Sequence, residues 1–392
     1  MNSEKNYKKM KSHTNELDGS ILEGGGQVIR ISFGLSALLN ESIKVFNIRA
    51  GRPKPGLKAQ HMNGLNLLHK MMGGKNGTSL LEGCALNSTQ VTFEPHVPSK
   101  IDEHEHFSID VGTAGATTLV AQLAFPVALF RPSKSVLMDL KGGTDVNWSP
   151  SIEYYKSIFG ELVKKFGACP FDTEILKRGY FPKGGGHIQL KIKPMTKPLK
   201  AVNLTEPGNL TTITIFANSA GKVPKEVASK MASSACQHLV SQGLIRQEII
   251  QIVTQYFDHN QAFANGSTIF IKAETSTGIV LGSSAISSPK IKPENVGKNA
   301  AQTLLEYIDQ GVCLDEYAQD QVIIFMALAK GCSKVLTGPL TLHTQTAIHV
   351  VEHLTKAQFK VSPVSSEENK NNSKFIIECQ GIGLEPPSQI SP

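Results

Sequence analysis

Glu23-Gly24-Gly25-Gly26-Gln27-Val28-Ile29-Arg30 has a counterpart further along the chain, Lys183-Gly184-Gly185-Gly186-His187-Ile188-Gln189-Leu190. In both, a triple glycine leads into an apolar segment, and a motif that recurs at long range suggests a repeated structural unit. Outward from the two copies, short strands and helices alternate. Lys44 to Ile48, Gln90 to Phe93, Phe107 to Val111, Ser135 to Leu140 and His187 to Ile192 read as strands, several with alternating apolar residues. Leu57 to Met72 and Ile152 to Phe166 carry apolar residues at helical spacing and stop at Gly73-Gly74 and Gly167. The strands near residues 90 and 107 follow one another without a helix between them. That order favours mixed sheets backed by helices over a purely parallel, doubly wound sheet.

From about Pro194 to Ser288 the pattern changes to strand, helix and two strands: Thr211 to Phe216, Lys225 to Val240, Ile249 to Phe257 and Thr268 to Ala273. This stretch reads as an inserted domain, with Lys193-Pro194 and Pro289 to Pro293 as linkers. The main domain then comprises residues 16–193 and 289–385. It regains helices at Asn295 to Gln310 and Gln319 to Lys330 and a last strand at Phe375 to Cys379. Residues 1–15 read as a disordered leading segment, Ser365 to Lys374 as a charged, Asn-rich loop and residues 386–392 as a frayed tail.

The 392 residues suffice for two or three domains. A net charge of +7 permits a polyanionic partner without demanding one. The six cysteines lie far apart with no CxxC pair, as reduced thiols do. The polar opening lacks the apolar stretch of a secretory signal, and no segment has the uninterrupted apolar length of a membrane span. A soluble intracellular protein is expected.

Three features carry chemistry. The glycine runs let backbone amides turn toward an anion and let a substrate approach closely. Neither a Gly-x-x-x-x-Gly-Lys-Ser/Thr loop nor a Gly-x-Gly-x-x-Gly element is present, so a bound nucleotide needs another geometry. Arg49, Arg52, Lys54 and Lys58 lie on a Gly/Pro-stiffened loop that feeds a helix start. Guanidinium groups grip phosphate in a bidentate way and a helix N-terminus favours negative charge, so this loop suits a phosphate cradle, joined by Arg30 and Arg178 beside the glycine runs. In Leu336-Thr337-Gly338-Pro339-Leu340-Thr341-Leu342-His343-Thr344-Gln345-Thr346, a strand-like segment delivers one histidine into an apolar-periodic helix. A neutral imidazole can attack phosphorus and later leave.

Taken in order, Asp18 to Gln27, Arg49 to His61, Gly112 to Thr118, Arg178 to Gly186 and Leu340 to Thr346 resemble the RNA 3′-terminal phosphate cyclases, and the resemblance extends over about Asp18 to Gly383. It implies an α+β fold: a main domain of three repeated units, each a four-stranded sheet with two helices, and a smaller inserted α/β domain. It also implies ATP-dependent conversion of an RNA 3′-phosphate into a 2′,3′-cyclic phosphodiester through histidine-AMP and RNA-adenylate intermediates, with His343 as the nucleophile. By the same resemblance, Glu23 helps hold a divalent metal, magnesium or manganese. Arg30, Arg49, Arg52, Gln60 and His61 contact triphosphate or the RNA end. Gln122, Pro132 and the segment Tyr317-Ala318-Gln319-Asp320-Gln321, with Tyr317, Asp320 and Gln321 foremost, bind adenosine, and Asp320 is a second candidate for orienting a group or holding metal. The expected partner is an RNA 3′-phosphate end, read with little sequence preference because no aromatic-interleaved basic strip is visible along the chain. Nuclear residence, in the nucleoplasm, follows from the family's eukaryotic members, with the cytoplasm as the other compartment; nothing in the sequence fixes an oligomeric state.

Two alternatives accompany that reading. A cyclase-like branch serves ribosome biogenesis, in pre-rRNA processing, as a binding protein and lacks the nucleophilic histidine; His343, Glu23, Arg49 and Arg52 are all present here. His349-Val350-Val351-Glu352-His353 fits the inverted zinc-peptidase pattern, but the helix must bury Ala347, Ile348, Val351 and Leu354 and no third ligand is evident. His104 and His106 read as a polar turn before a strand rather than as a metal clip.

Overall fold

The computed structural model describes residues 14–74, 79–243, 245–364 and 373–388. The leading residues 1–13, most of the Asn-rich loop (365–372) and the end of the tail (389–392) lie outside the described residues. Asn15, expected in the disordered leader, opens the first strand.

One plan is used three times. The first unit runs β1 (Asn15–Asp18), α1 (Gly26–Leu39), β2 (Ile43–Phe46), α2 (Ala59–Met71), β3 (Leu80–Glu82) and β4 (Val91–Glu94). Its sheet has the order β1-β2-β4-β3, with β1 and β2 parallel and the remaining neighbours antiparallel. A parallel pair needs a crossover, and α1 supplies it. The second unit repeats the order with β5 (His104–Asp110), α3 (Thr117–Leu129), β6 (Ser135–Gly142), α4 (Ile152–Tyr154), α5 (Gly160–Lys165), β7 (Asp172–Lys177) and β8 (Gly186–Ile192). A π-helical turn at Tyr155–Phe159 joins α4 to α5, and the sheet order is β5-β6-β8-β7.

The third unit starts with β9 (Asn203–Leu204), and the crossover that should follow contains a further sheet. That insertion comprises β10 (Leu210–Ala220), α6 (Lys225–Ser241), β11 (Ile250–Phe257), β12 (Gly266–Thr275), β13 (Val280–Ile286) and α7 (Pro293–Gln310), with sheet order β11-β10-β12-β13. The helix expected to return to the main domain, α7, packs on α6, β12 and β13 instead. The helices α6 and α7 pack on each other and on the sheet. The repeat then resumes with α8 (Glu316–Leu328), β14 (Lys330–Thr337), α9 (Leu342–Leu354), β15 (Gln358–Val364) and β16 (Lys374–Ile382). Its sheet, β15-β16-β14-β9, again has one parallel pair: β9, expected inside the insertion, pairs with β14.

The repeat is therefore present, but the two triple glycines are not equivalent points in it. Gly26 opens a helix, α1, whereas Gly186 opens a strand, β8. Glycine is required at each for a different reason: a side chain at Gly184 would strike the Thr113 carbonyl oxygen at 2.5 Å, while Gly25 and Gly26 make room for charged side chains.

Helices of the three units meet in a common core. α1 packs on α2, α3 and α9, and the rings of Phe125, Phe159 and Phe325 join the second unit to the third, with centroids 5.3 Å (Phe125 to Phe159) and 5.7 Å (Phe159 to Phe325) apart. This position between units explains why α3 is buried on almost every side and shows little amphipathic periodicity.

Candidate active site

The approach to His343 is built by hydrogen bonds from a single amide. After β14 ends at Thr337, the chain turns through Gly338-Pro339-Leu340 and enters α9 with Thr341 as its N-cap, the Thr341 hydroxyl accepting from the Thr344 amide at 3.1 Å. Gln319, on α8 and only 2 % exposed, holds the turn. Its Oε1 accepts from the Thr341 amide at 2.9 Å and the Thr344 hydroxyl at 2.6 Å, while its Nε2 donates to Thr337 Oγ1 at 2.5 Å and to the Pro339 carbonyl at 3.3 Å. Both protons and both acceptor directions of the amide are thus committed to the segment that carries His343. His343 itself is exposed at the second position of α9, and its ring makes no hydrogen bond among the described residues.

Three helix N-termini converge beside it. The Glu23 amide donates to Thr346 Oγ1 at 3.2 Å, fixing the loop before α1 against the first turns of α9. A side chain at Gly26 would lie 2.6 Å from His61 Nε2 on α2 and 3.1 Å from Arg30 Nη1, and one at Gly25 would overlap the Glu23 carboxylate. With Gly25 as N-cap and no side-chain cap, α1 leaves its first amides free to face an anion.

Charged groups crowd the same place. Arg52 pairs with the Glu23 carboxylate and donates to the Glu23 carbonyl at 3.0 Å. Arg49 holds a left-handed backbone (φ 55°) and donates to the carbonyls of Lys54 and Gly56 at 2.9 and 3.0 Å, bracing the loop. The Glu23 side chain is 10 % exposed, and its buried Oε2 has no hydrogen-bond partner among the described residues. Burial draws the Arg30 guanidinium below its ordinary range against the pull of Asp320 and Glu23, and Arg30 donates to Gln27. Burial, then Arg30, Arg49 and Lys58, depress His61 to about 3. Its Nδ1 accepts from the Lys58 amide at 3.2 Å, so the neutral ring carries its proton on Nε2, the atom nearest Gly26. Burial raises the half-buried Asp320 to about 6, opposed by the charges of Arg30 and His343.

The other expected residues divide. Gln60 accepts from the Ala116 amide at 3.1 Å, so it ties α2 to the start of α3. Tyr317 lies in the first turn of α8, its ring edge-on to Tyr154 at 5.8 Å; Gln321 donates to the Tyr317 carbonyl at 2.6 Å and keeps a buried, unpartnered Oε1. Gln122 shares with Thr118 one face of α3 and makes no hydrogen bond among the described residues. Pro132 is not brought to this end: it follows α3 at the opposite end, roughly 20 Å away by helix rise, beside Arg131, which binds the last carbonyl of α2. The proline at the near end is Pro150, whose carbonyl accepts from Thr118 at 2.9 Å just before α4 delivers Tyr154. Nothing in the chain order singles it out, because the fold, and not the spacing from Gln122, brings it there. Arg178 is also diverted from the cradle. It pairs with Asp145 at 3.2 Å and with Glu153, lies over the Phe257 ring at 4.6 Å, and lines a cavity of about 450 Å³ between the second unit and the insertion.

The rival motifs have structural uses. Glu352 accepts from the Phe359 amide at 2.9 Å and His353 bonds the Glu16 carbonyl at 3.2 Å, while His104 bonds Ser135 at 2.7 Å. Among the described residues no group of three or more His, Cys, Asp or Glu is arranged to hold a metal ion, and all six cysteines are free. No helix among them is long and apolar enough to cross a membrane.

Comparison with known proteins agrees with the geometry. A family model described as RNA 3′-terminal phosphate cyclase matches residues 21–361. The RNA 3′-terminal phosphate cyclase of Drosophila melanogaster is 35% identical over 370 residues, 94% of this chain and 96% of the fly protein. The probable RNA 3′-terminal phosphate cyclase of Dictyostelium discoideum is 34% identical over 376 residues, 95% of this chain and 83% of its own length. The archaeal enzyme of Staphylothermus marinus is 34% identical over 371 residues, 95% of this chain and 99% of its own. With its thrice-repeated sheet unit and a match over most of its length, the chain belongs to the RNA 3′-terminal phosphate cyclase family.

Proposed function

We propose that the protein converts an RNA 3′-terminal phosphate into a 2′,3′-cyclic phosphodiester at the expense of ATP, with His343 as the nucleophile. The carrying observation is the meeting of three helix N-termini and the cations Arg30, Arg49, Arg52 and Lys58 beside an exposed imidazole whose ring nitrogens make no hydrogen bond among the described residues. Such a site suits a polyphosphate, and the imidazole is free to attack it.

A terminal phosphate resists its neighbouring 2′-hydroxyl because its oxygens are anionic and poor leaving groups. In this reading His343 attacks the α-phosphorus of ATP and the bond to pyrophosphate breaks. An RNA phosphate oxygen then takes the adenylyl group and frees the ring. Finally the 2′-oxygen attacks the terminal phosphorus and AMP departs. His61, neutral and carrying its proton on Nε2, donates to a phosphate oxygen without competing as a base. Arg30, Arg49 and Arg52 hold the remaining oxygens, and Gln60 fixes the neighbouring loop. The exposed Tyr317 ring and the unpartnered Gln321 Oε1 suit a purine with its exocyclic amine, with Gln122 and Asp320 beside them.

A divalent cation, magnesium or manganese, fits Glu23, whose Oε2 is buried and unpartnered. Magnesium commonly takes one or two carboxylates plus phosphates and water, so the lack of a cluster of three ligands is compatible with it. When bound it neutralises charge on the departing pyrophosphate. Action in the nucleus, or in the cytoplasm, is part of this reading and rests on the resemblance alone.

The test is incubation with α-labelled ATP and magnesium or manganese. An acid-labile, protein-bound AMP that disappears in His343→Ala supports catalysis. A wild type that takes no label contradicts it and favours a non-catalytic, RNA-processing scaffold.

A further inference from the structure

The folded chain assembles what no linear segment contains. Trp148 is the chain's single tryptophan, 98 % exposed, with a left-handed backbone (φ 66°) that favours glycine or asparagine. Its loop is nevertheless held firmly. The Ser149 hydroxyl donates to the Val146 carbonyl at 2.9 Å, Thr118 donates to Pro150, and Val146 is buried against Ala114, Ala116 and Leu119. These contacts hold the backbone of an open indole in a conformation that bulky residues rarely adopt, a kind of outlier that clusters at ligand-facing sites.

Two more exposed rings come from adjoining segments. Phe181, 71 % exposed, follows the buried Tyr180, which bridges to Asp145 in the Trp148 loop. Phe263, 55 % exposed, comes from the insertion; its amide donates to the Arg178 carbonyl at 2.9 Å, its ring fills the space a side chain at Gly185 would need, and Lys177 Nζ stands 5.8 Å from its centroid. Lys183 is exposed two residues from Phe181. The segments meet at Thr113–Ala116, which Gly184 touches on one side and Gln60, the neighbour of His61, grips on the other. Among the described residues no other aromatic ring packs on any of the three.

We infer that Trp148, Phe181 and Phe263, with Lys177 and Lys183, form a stacking track for the unpaired bases of an RNA strand just 5′ of its terminal phosphate. The inference rests on the proposed function, which puts that phosphate at the cradle. Open aromatic faces interleaved with cations take single-stranded RNA through stacking and backbone charge, without reading the sequence. The aromatic-basic strip absent from the primary sequence is thus composed from separate loops and still predicts little sequence preference.

Because Trp148 is the sole indole, its fluorescence reports on the track in the unmodified protein. A single-stranded RNA decamer with a 3′-phosphate, titrated without ATP, is expected to quench it. ATP alone, and the same decamer with its last four nucleotides abasic, are expected not to. Trp148→Ala is expected to raise KM for the decamer about tenfold, the effect falling on KM and not on kcat. Quenching by ATP alone would overturn the inference, since the ring would then serve the nucleotide. Equal quenching by the abasic strand, or none by the decamer, would also overturn it. In those cases, persistence of His343 labelling and cyclisation leaves the proposed function standing, and their loss removes both.

Discussion

Two histidines occupy the same station of the repeat with opposite environments. His61 is the third residue of α2 and His343 the second of α9, and each helix follows the second strand of its unit. Burial among Arg30, Arg49 and Lys58 keeps His61 neutral, and the Lys58 amide occupies one of its nitrogens. His343 is exposed, and among the described residues neither of its nitrogens is hydrogen-bonded. In the second unit the equivalent helix, α4, starts behind a Ser151 cap and carries no histidine in its first turn. The repeat therefore provides helix N-termini suited to phosphate, and local burial decides which imidazole can act as a nucleophile.

The largest effect that separates the two histidines is on turnover. His343→Gln is expected to lower the cyclisation rate by at least about three orders of magnitude, with thermal stability kept. His61→Gln, which retains an N–H donor, is expected to lose about tenfold, measured as kcat/KM in the same assay. Equal losses would break the comparison. Next comes the support beneath His343. Gln319→Leu strips four hydrogen bonds from the turn and is expected to cut kcat about a hundredfold while changing KM for ATP little, because a small displacement of a reacting group suffices.

Acid stability sharpens the contrast further. A histidine depressed to about 3 in the folded chain takes up a proton on unfolding at any pH between there and 6.5, so its contribution is present above about 6.5 and is lost as pH falls. Wild type is therefore expected to lose about 2 kcal/mol relative to His61→Gln between pH 7 and pH 5, read by urea unfolding at both. The smallest effect concerns the joint on which α8 rests. Asp315 accepts from Tyr154 Oη at 2.5 Å, the Gly282 amide at 2.9 Å, and the Tyr317 and Ala318 amides at 3.1 and 2.9 Å, linking the second unit, the insertion and the third. Asp315→Asn turns an amide donor toward a donor and is expected to cost about 1 kcal/mol by the same method. Because burial raises Asp315 to about 6, that cost should grow toward acid pH, where wild type gains from protonation between about 6 and 4.

Much of the fold could be read from the chain, for reasons that also explain the gaps. Strands such as β5 and β6 and the helices α2 and α6 alternate polar and apolar residues strongly enough to be recognised. Strands β3 and β9 have three and two residues and carry no period. Helix α3 is apolar all round because three units enclose it, so its sequence shows only a hydrophobic run. At the site, Glu23, Arg30, Arg49, Arg52, His61 and His343 stood in motifs that folding brings near one another. Gln319 stood in the segment expected to bind adenosine, and its hold on the His343 turn emerged only from its hydrogen bonds. Pro150 emerged only from the position of α3, and the Trp148, Phe181 and Phe263 faces only from loops distant in sequence.

The most direct measurement is peptide mapping by mass spectrometry of the full-length protein after incubation with ATP and magnesium, quenched in alkali to preserve the phosphoramidate. The account predicts a single adenylyl group, on the peptide containing His343 and absent from the one containing His61. An adenylyl group on His61 or any other residue, or none at all, would contradict it.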